Sequence, residues 1–206
     1  MKKFIEVVLA TLLAGCATVQ APVETASCAR LTIDDGPNAL YTEKFLDVLK
    51  ERNVKATFFV VGEHVVAHPE IIARMYKEGH RIGNHTWDHS HLTTLSLSDV
   101  REELFKTSDA IYKITRKSPD EWRPPYEEYN ESISKEASIQ GMQIALWTYK
   151  TDPNDWQGIS PDKIADKIIS NANNNSIIIM HDTYINSLVA LPIILDGLKK
   201  KNICLQ

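Results

Sequence analysis

Runs of apolar residues alternate with amphipathic stretches along almost the whole chain, and this pattern limits the folds open to it. Ala29 to Ile33, Ala56 to Val61 and Ser176 to Met180 read as strands. The Ile177-Ile178-Ile179 run is apolar without interruption, as expected for a strand buried on both faces. Shorter strand positions are expected at Arg81 to Gly83, Trp122-Arg123 and Gln143 to Trp147. Between them, Phe45, Val48 and Leu49 mark the inner face of one helix, and Pro69 to Glu78 forms another, closed by Gly79. Ser98 is positioned to cap a long helix carrying Val100, Leu104 and Ile111. Asn130 to Gln140, a segment opened by Ser160-Pro161, and Leu188 to Lys200 complete the helices. Strands alternating with helices imply parallel pairing and right-handed crossovers. About seven such units fit a compact barrel better than an open sheet, in a single α/β domain.

The chain has 206 residues, 43% of them hydrophobic, and a formal net charge of -4. That suits one buried core, and the absence of a basic block argues against nucleic acid as a partner. Lys2 and Lys3 precede a short apolar stretch, Val7 to Leu13, with the build of a signal peptide rather than a membrane span. It ends in Leu13-Ala14-Gly15-Cys16, which resembles a bacterial lipobox whose cysteine is lipidated; a plain secretory signal is the alternative. The organisation expected is a signal segment over 1–16, a tether over 17–28 and a folded domain over 29–206. The location implied is the cell envelope, at the periplasmic face of the outer membrane in a Gram-negative cell. An oxidising compartment permits Cys28 and Cys204 to pair, and two buried free thiols are the other reading.

The polar clusters sit at the carboxyl ends of strands, where barrel enzymes build their sites. Thr32-Ile33-Asp34-Asp35-Gly36-Pro37 places two carboxylates after the first strand. His85-Thr86-Trp87-Asp88-His89 follows the third. Histidines four apart on a helical turn would stand about 5–6 Å apart at Cβ, close enough to share an ion. Two histidines and one carboxylate with open positions suit Zn²⁺ and tolerate Co²⁺ or Mn²⁺. The other histidines, His64, His68, His80 and His91, read as surface or structural. No Gly-x-Ser-x-Gly elbow occurs, so a serine nucleophile is not expected.

With Trp122-Arg123-Pro124-Pro125-Tyr126, Asp152-Pro153-Asn154-Asp155-Trp156 and Ile179-Met180-His181 added, the chain resembles the NodB-homology polysaccharide deacetylases, carbohydrate esterase family 4. The likeness covers about Leu31 to Leu198, with the family's motifs in order. It implies a distorted (β/α)7-type barrel and a divalent ion, Zn²⁺ first, held by Asp35, His85 and His89. It further implies Asp34 as general base, paired with Arg123, and His181 as general acid, paired with Asp155. The backbone N–H of Tyr126 would serve the oxyanion, and Trp156 and Ile179 would line the acetyl pocket. Where the family usually continues with glycine, this chain has Glu127-Glu128. The activity implied is removal of N-acetyl groups from N-acetylglucosamine glycans, peptidoglycan or chitin-type oligomers. An O-acetyl esterase and a non-catalytic glycan-binding lipoprotein are the alternatives.

Overall fold

The structure, a computed structural model, describes residues 28–206; the expected signal segment, the lipobox Cys16 and nearly all of the tether lie outside them. In chain order the elements are β1 (Arg30–Asp34), α1 (Thr42–Glu51), β2 (Thr57–Val60), α2 (Gly62–Ala67), α3 (Pro69–Lys77), β3 (Arg81–Asn84), α4 (Leu97–Thr115), β4 (Glu121–Trp122), α5 (Glu131–Ile139), β5 (Gln143–Ile144), α6 (Pro161–Asn171), β6 (Ile177–His181) and α7 (Ile185–Lys200). The strands form one sheet in the order β5-β4-β3-β2-β1-β6. Every pairing is parallel.

The apolar strands fall where expected because both sheet faces are covered. All four residues of β2 are buried, as are four of the five in β1. Helix α3 starts at Pro69, buries Ile71, Ile72 and Met75 at helical spacing, and is followed by Gly79 at φ 83°. The main core joins these side chains to Phe45, Leu46 and Leu49 of α1 and to Leu191, Ile194 and Leu198 of α7. A smaller cluster around Trp122, Leu104 and Ile133 packs α4 and α5 against the β4 edge.

The sheet is a curled half-barrel of six strands rather than seven complete units. Strand β5, expected over Gln143 to Trp147, pairs only at Gln143 and Ile144. Beyond them the chain leaves the β4 edge, where Ala145 N–H donates to Trp122 O at 2.9 Å, and crosses to β6, where Thr148 N–H donates to Ile177 O at 2.8 Å. This irregular crossing closes the side that a seventh strand would fill. The cap of α4 is also corrected: Ser96, not Ser98, is the N-cap, with its Oγ accepting from Asp99 N–H at 3.2 Å. The hydroxyl three residues before Asp99 can reach that N–H; Ser98, adjacent to it, cannot.

Cys28 and Cys204 are joined by a disulfide spanning 176 residues of sequence, next to a parallel bridge between Ala29 and Leu205. Free thiols are thereby set aside for this pair. The link ties the entry to β1 to the segment after α7. The chain-entropy argument gives about 5 kcal/mol for so long a loop, and native bridges typically deliver about 2–4 kcal/mol. Reduction, or Cys204→Ala, is expected to lower the unfolding midpoint by on the order of 10 °C in a thermal denaturation followed by circular dichroism.

Candidate active site

Sheet register brings the polar clusters together. Asp34 closes β1 directly beside His181, which closes β6. His85 follows β3 and Arg123 follows β4; Arg123 N–H donates to Asn84 O at 2.9 Å, which aligns the two segments. All lie at the carboxyl end of the sheet, around a cavity of about 440 Å³. Its lining includes Asp34, Asp35, His85, His89, Tyr126, Glu127, Trp156, Ile179 and His181.

Asp35, His85 and His89 offer ligand atoms that all lie within 4.8 Å of one another. Nε2 of His85 is 3.4 Å and Nε2 of His89 3.3 Å from Asp35 Oδ1. Both rings present Nε2 because Nδ1 is engaged elsewhere, that of His85 by the Arg123 carbonyl at 2.7 Å and that of His89 by the Tyr126 hydroxyl at 3.1 Å. Burial works against ionisation of Asp35, but hydrogen bonds from His85 and His89 and the charge of His181 outweigh it and hold the carboxyl well below the usual range. Two imidazole nitrogens with fixed tautomers and one ionised carboxylate, aimed at one point, fit a divalent ion.

The histidine pair does not sit on a helical turn. Residues 85–89 form an irregular loop with Thr86 at φ 67° and His89 at φ 64°. Its backbone donors are captured from outside: Asn84 Oδ1 accepts from Thr86 N–H at 2.8 Å, and Glu103 Oε2 accepts from Trp87 N–H at 2.8 Å and Asp88 N–H at 3.2 Å. Those captures replace the helical ladder. Positive φ recurs around the cavity at Asp35, His89, Tyr126, Glu127 and Asn154. Sparsely populated backbone of this kind costs on the order of 1–3 kcal/mol per residue and concentrates where a site needs it. Glu127, at the position where the resembled family usually has glycine, adopts φ 58°, left-handed backbone that glycine would take without strain.

Arg123 is fully buried; its Nη1 donates to Asp34 Oδ1 at 2.7 Å and to Thr32 Oγ1 at 2.8 Å, and its Nε to Ala145 O at 2.7 Å. The other carboxylate oxygen of Asp34 stands 3.9 Å from His85 Nε2, on the cavity side. Asp155 is also fully buried, and accepts from His181 Nδ1 at 2.6 Å, His181 N–H at 2.9 Å and Ser187 Oγ at 2.6 Å. Burial alone would lower the His181 pKa; the hydrogen bond and charge of Asp155, then the charges of Asp35 and Asp34, push it up to about 10. Ile179 is buried in the cavity wall, and Trp156 lies half exposed at its rim.

Several supporting residues carry no local signature in the sequence. Asp182 is wholly buried, and that burial raises its pKa to about 7 against the opposing hydrogen bond from Thr42 Oγ1 at 2.6 Å. It packs under Gly36 so closely that a Cβ there would lie 2.3 Å from Asp182 Oδ2, which explains a glycine after the carboxylate pair. His64, read from sequence as surface or structural, is exposed and engages the Asp35 carbonyl through Nδ1 at 2.8 Å. Glu103, Thr42 and Ser187 belong to the same group. Their partners lie far along the chain, so only an Asp-x-x-x-Thr or His-x-x-x-His type spacing could have flagged them, and none does.

The polysaccharide deacetylase family model matches residues 23–145, more than half of the chain, and the chain belongs to that family. A peptidoglycan N-acetylglucosamine deacetylase of Bacillus cereus is 40% identical over 153 residues, covering 74% of this chain and 55% of the relative. A chitooligosaccharide deacetylase of Bradyrhizobium is 35% identical, covering 75% of this chain and 70% of the relative. The solved peptidoglycan deacetylase PdaC of Bacillus subtilis superposes with a TM-score of 0.80 at 37% identity, covering 88% of this chain and 87% of that one. The chain thus spans about half the length of the Bacillus cereus relative.

Two outcomes follow from the geometry. Arg123→Ala leaves Asp34 buried without its counter-charge and is expected to cost about 3–5 kcal/mol, read by urea denaturation. The raised pKa of His181 means that its pairing stabilises fully below the unfolded value near 6.5 and is lost as pH rises through about 10. Asp155→Asn removes the main cause, so the alkaline limb of the pH–rate profile is expected to move to lower pH.

Proposed function

We propose that this chain is a metal-dependent N-deacetylase of N-acetylglucosamine glycans, with peptidoglycan first and chitin-type oligomers second. The observation that carries the reading is the convergence of Asp35, His85 and His89 between a base and an acid that sit side by side in register, Asp34 and His181. The names of the relatives from Bacillus cereus and Bradyrhizobium support the substrate class. Asp35, His85 and His89 would hold the ion, Zn²⁺ by donor type with Co²⁺ or Mn²⁺ as substitutes, which supplies Lewis-acid polarisation of the acetamide and a more acidic water.

The remaining steps belong to the side chains. Asp34 takes a proton from the attacking water through its cavity-side oxygen while Arg123 holds the other oxygen. The Tyr126 N–H, presented by left-handed backbone, donates to the developing oxyanion. His181, kept protonated by Asp155, then protonates the departing nitrogen, and the products are acetate and a free amine. Ile179 and Trp156 bound the space for the acetyl methyl, a pocket that discriminates by volume at about 1–3 kcal/mol per methylene. An envelope lipoprotein anchored through Cys16 would place this chemistry beside the cell-wall glycan.

Acetate release from chitooligomers, muropeptides and acetylated xylan, assayed side by side, tests the reading. Release is expected from the amide substrates, lost with a strong chelator and restored by Zn²⁺ or Co²⁺. Asp34→Asn is expected to retain the metal and to lose at least about a hundredfold in kcat. Release from acetylated xylan alone would make the chain an O-acetyl esterase, and glycan binding without release from any substrate would make it a binding protein.

A further inference from the structure

His85 and His89, the two histidines of the proposed metal site, are held in unlike ways. His85 is buried, and its Nδ1 lies against a backbone carbonyl, that of Arg123, fixed by its place beside β4. The His89 side chain is 28% exposed, and its Nδ1 meets the hydroxyl of Tyr126, a residue that is itself 55% exposed. For Nε2 to serve as a ligand, the ring proton must reside on Nδ1, so His89 donates and the phenol oxygen accepts. Neither burial nor backbone preference keeps the Tyr126 ring in place, since its φ is 58°.

The hold comes from His91. Its imidazole stacks on the Tyr126 ring with centroids 4.1 Å apart and planes inclined by 13°. Nδ1 of His91 lies 3.0 Å from Glu128 Oε2, and the same oxygen accepts from Thr93 Oγ1 at 3.2 Å. Thr93 belongs to a single turn, Leu92–Thr94, rooted in the core by the fully buried Leu92. A continuous run of contacts therefore leads from the core through Glu128, His91 and Tyr126 to His89. The sequence reading left His91 as surface or structural and Glu128 without a role.

We infer that the Tyr126 side chain is a positioning residue for His89, and that His91 and Glu128 form the clamp that fixes it. The inference rests on the proposed metal site of Asp35, His85 and His89. Tyr126→Phe keeps the ring stack and removes only the acceptor. His91→Ala removes the stack, and His91→Phe restores a ring without the link to Glu128.

The test is Zn²⁺ affinity, measured on the full chain by competition with a chromophoric chelator, with the thermal midpoint recorded for each variant. Tyr126→Phe is expected to weaken binding about 10–100-fold, the usual effect of removing a partner behind a metal-bound histidine. His91→Ala is expected to weaken it less, and His91→Phe to recover part of that loss. All these side chains are exposed, so wild-type midpoints are expected; should one variant melt early, Glu128→Ala replaces it and is expected to weaken binding in the same direction. Wild-type Zn²⁺ affinity in stably folded Tyr126→Phe and His91→Ala overturns the inference and leaves the metal site standing. A wild-type chain that takes up no stoichiometric Zn²⁺ overturns both.

Discussion

A guanidinium with no access to solvent organises the site. Burying Arg123 removes its hydration, a cost of several kcal/mol unless charge and hydrogen bonds replace the lost water. The replacement comes from two strands and a loop at once: Asp34 and Thr32 from β1, the Phe59 ring of β2, whose centroid is 4.2 Å from the guanidinium carbon, and the Ala145 carbonyl beyond β5. The Arg123 carbonyl meanwhile orients His85. One residue thus fixes Asp34 by its side chain and His85 by its backbone, so displacement of either is felt at the other. Because Nη1 engages only Oδ1 of Asp34, the second oxygen stays available on the cavity side.

The scaffold makes such coupling affordable to the fold. In a parallel sheet the strand ends lie abreast, and the β1–β6 and β2–β3 ladders set Asp34, His181 and His85 without any loop having to find its place. Loops carry the remainder, and there the backbone is strained. The strain at Asp35, His89 and Tyr126 persists because rigid elements over-determine it: Glu103 of α4 grips the 85–89 loop, and Asp182 with Thr42 of α1 braces the turn after Asp35.

Burial on both faces made β1, β2 and β6 legible, since a continuous apolar run has few other uses. Helices with apolar residues at three- and four-residue spacing were legible for the same reason. What escaped was governed by distant partners. The 85–89 loop has the spacing of a helical turn, yet its N–H groups go to Asn84 and Glu103, the latter 16 residues away from Trp87. The strand expected over Gln143 to Trp147 stops pairing after Ile144, and the chain crosses so that Thr148 N–H donates to the Ile177 carbonyl, 29 residues away. The motif residues Asp34, Asp35, His85, His89 and His181 line one cavity. The residues that brace them, Glu103, Asp182, Ser187 and His64, have ordinary sequence surroundings, and only the fold gives them partners.

Asp34 and His181, the proposed base and acid, end adjacent strands with opposite counter-charges behind them. Arg123 stands behind Asp34, and Asp155 behind His181. Each is fully buried, so water cannot weaken the interaction by screening. Against burial, the hydrogen bond and charge of Asp155 favour the imidazolium form of His181, the form that the proposed amide hydrolysis would use. The arrangement also resists collapse of Asp34 and His181 into a direct pair, because each is already bound from behind by a partner that cannot follow it into the cavity. Ser187 completes this on the acid side: by taking Asp155 Oδ2, it leaves Oδ1 for His181 Nδ1 and fixes which ring nitrogen faces the substrate. With Nδ1 committed to Asp155, Nε2 is the His181 nitrogen left for the acid role proposed above.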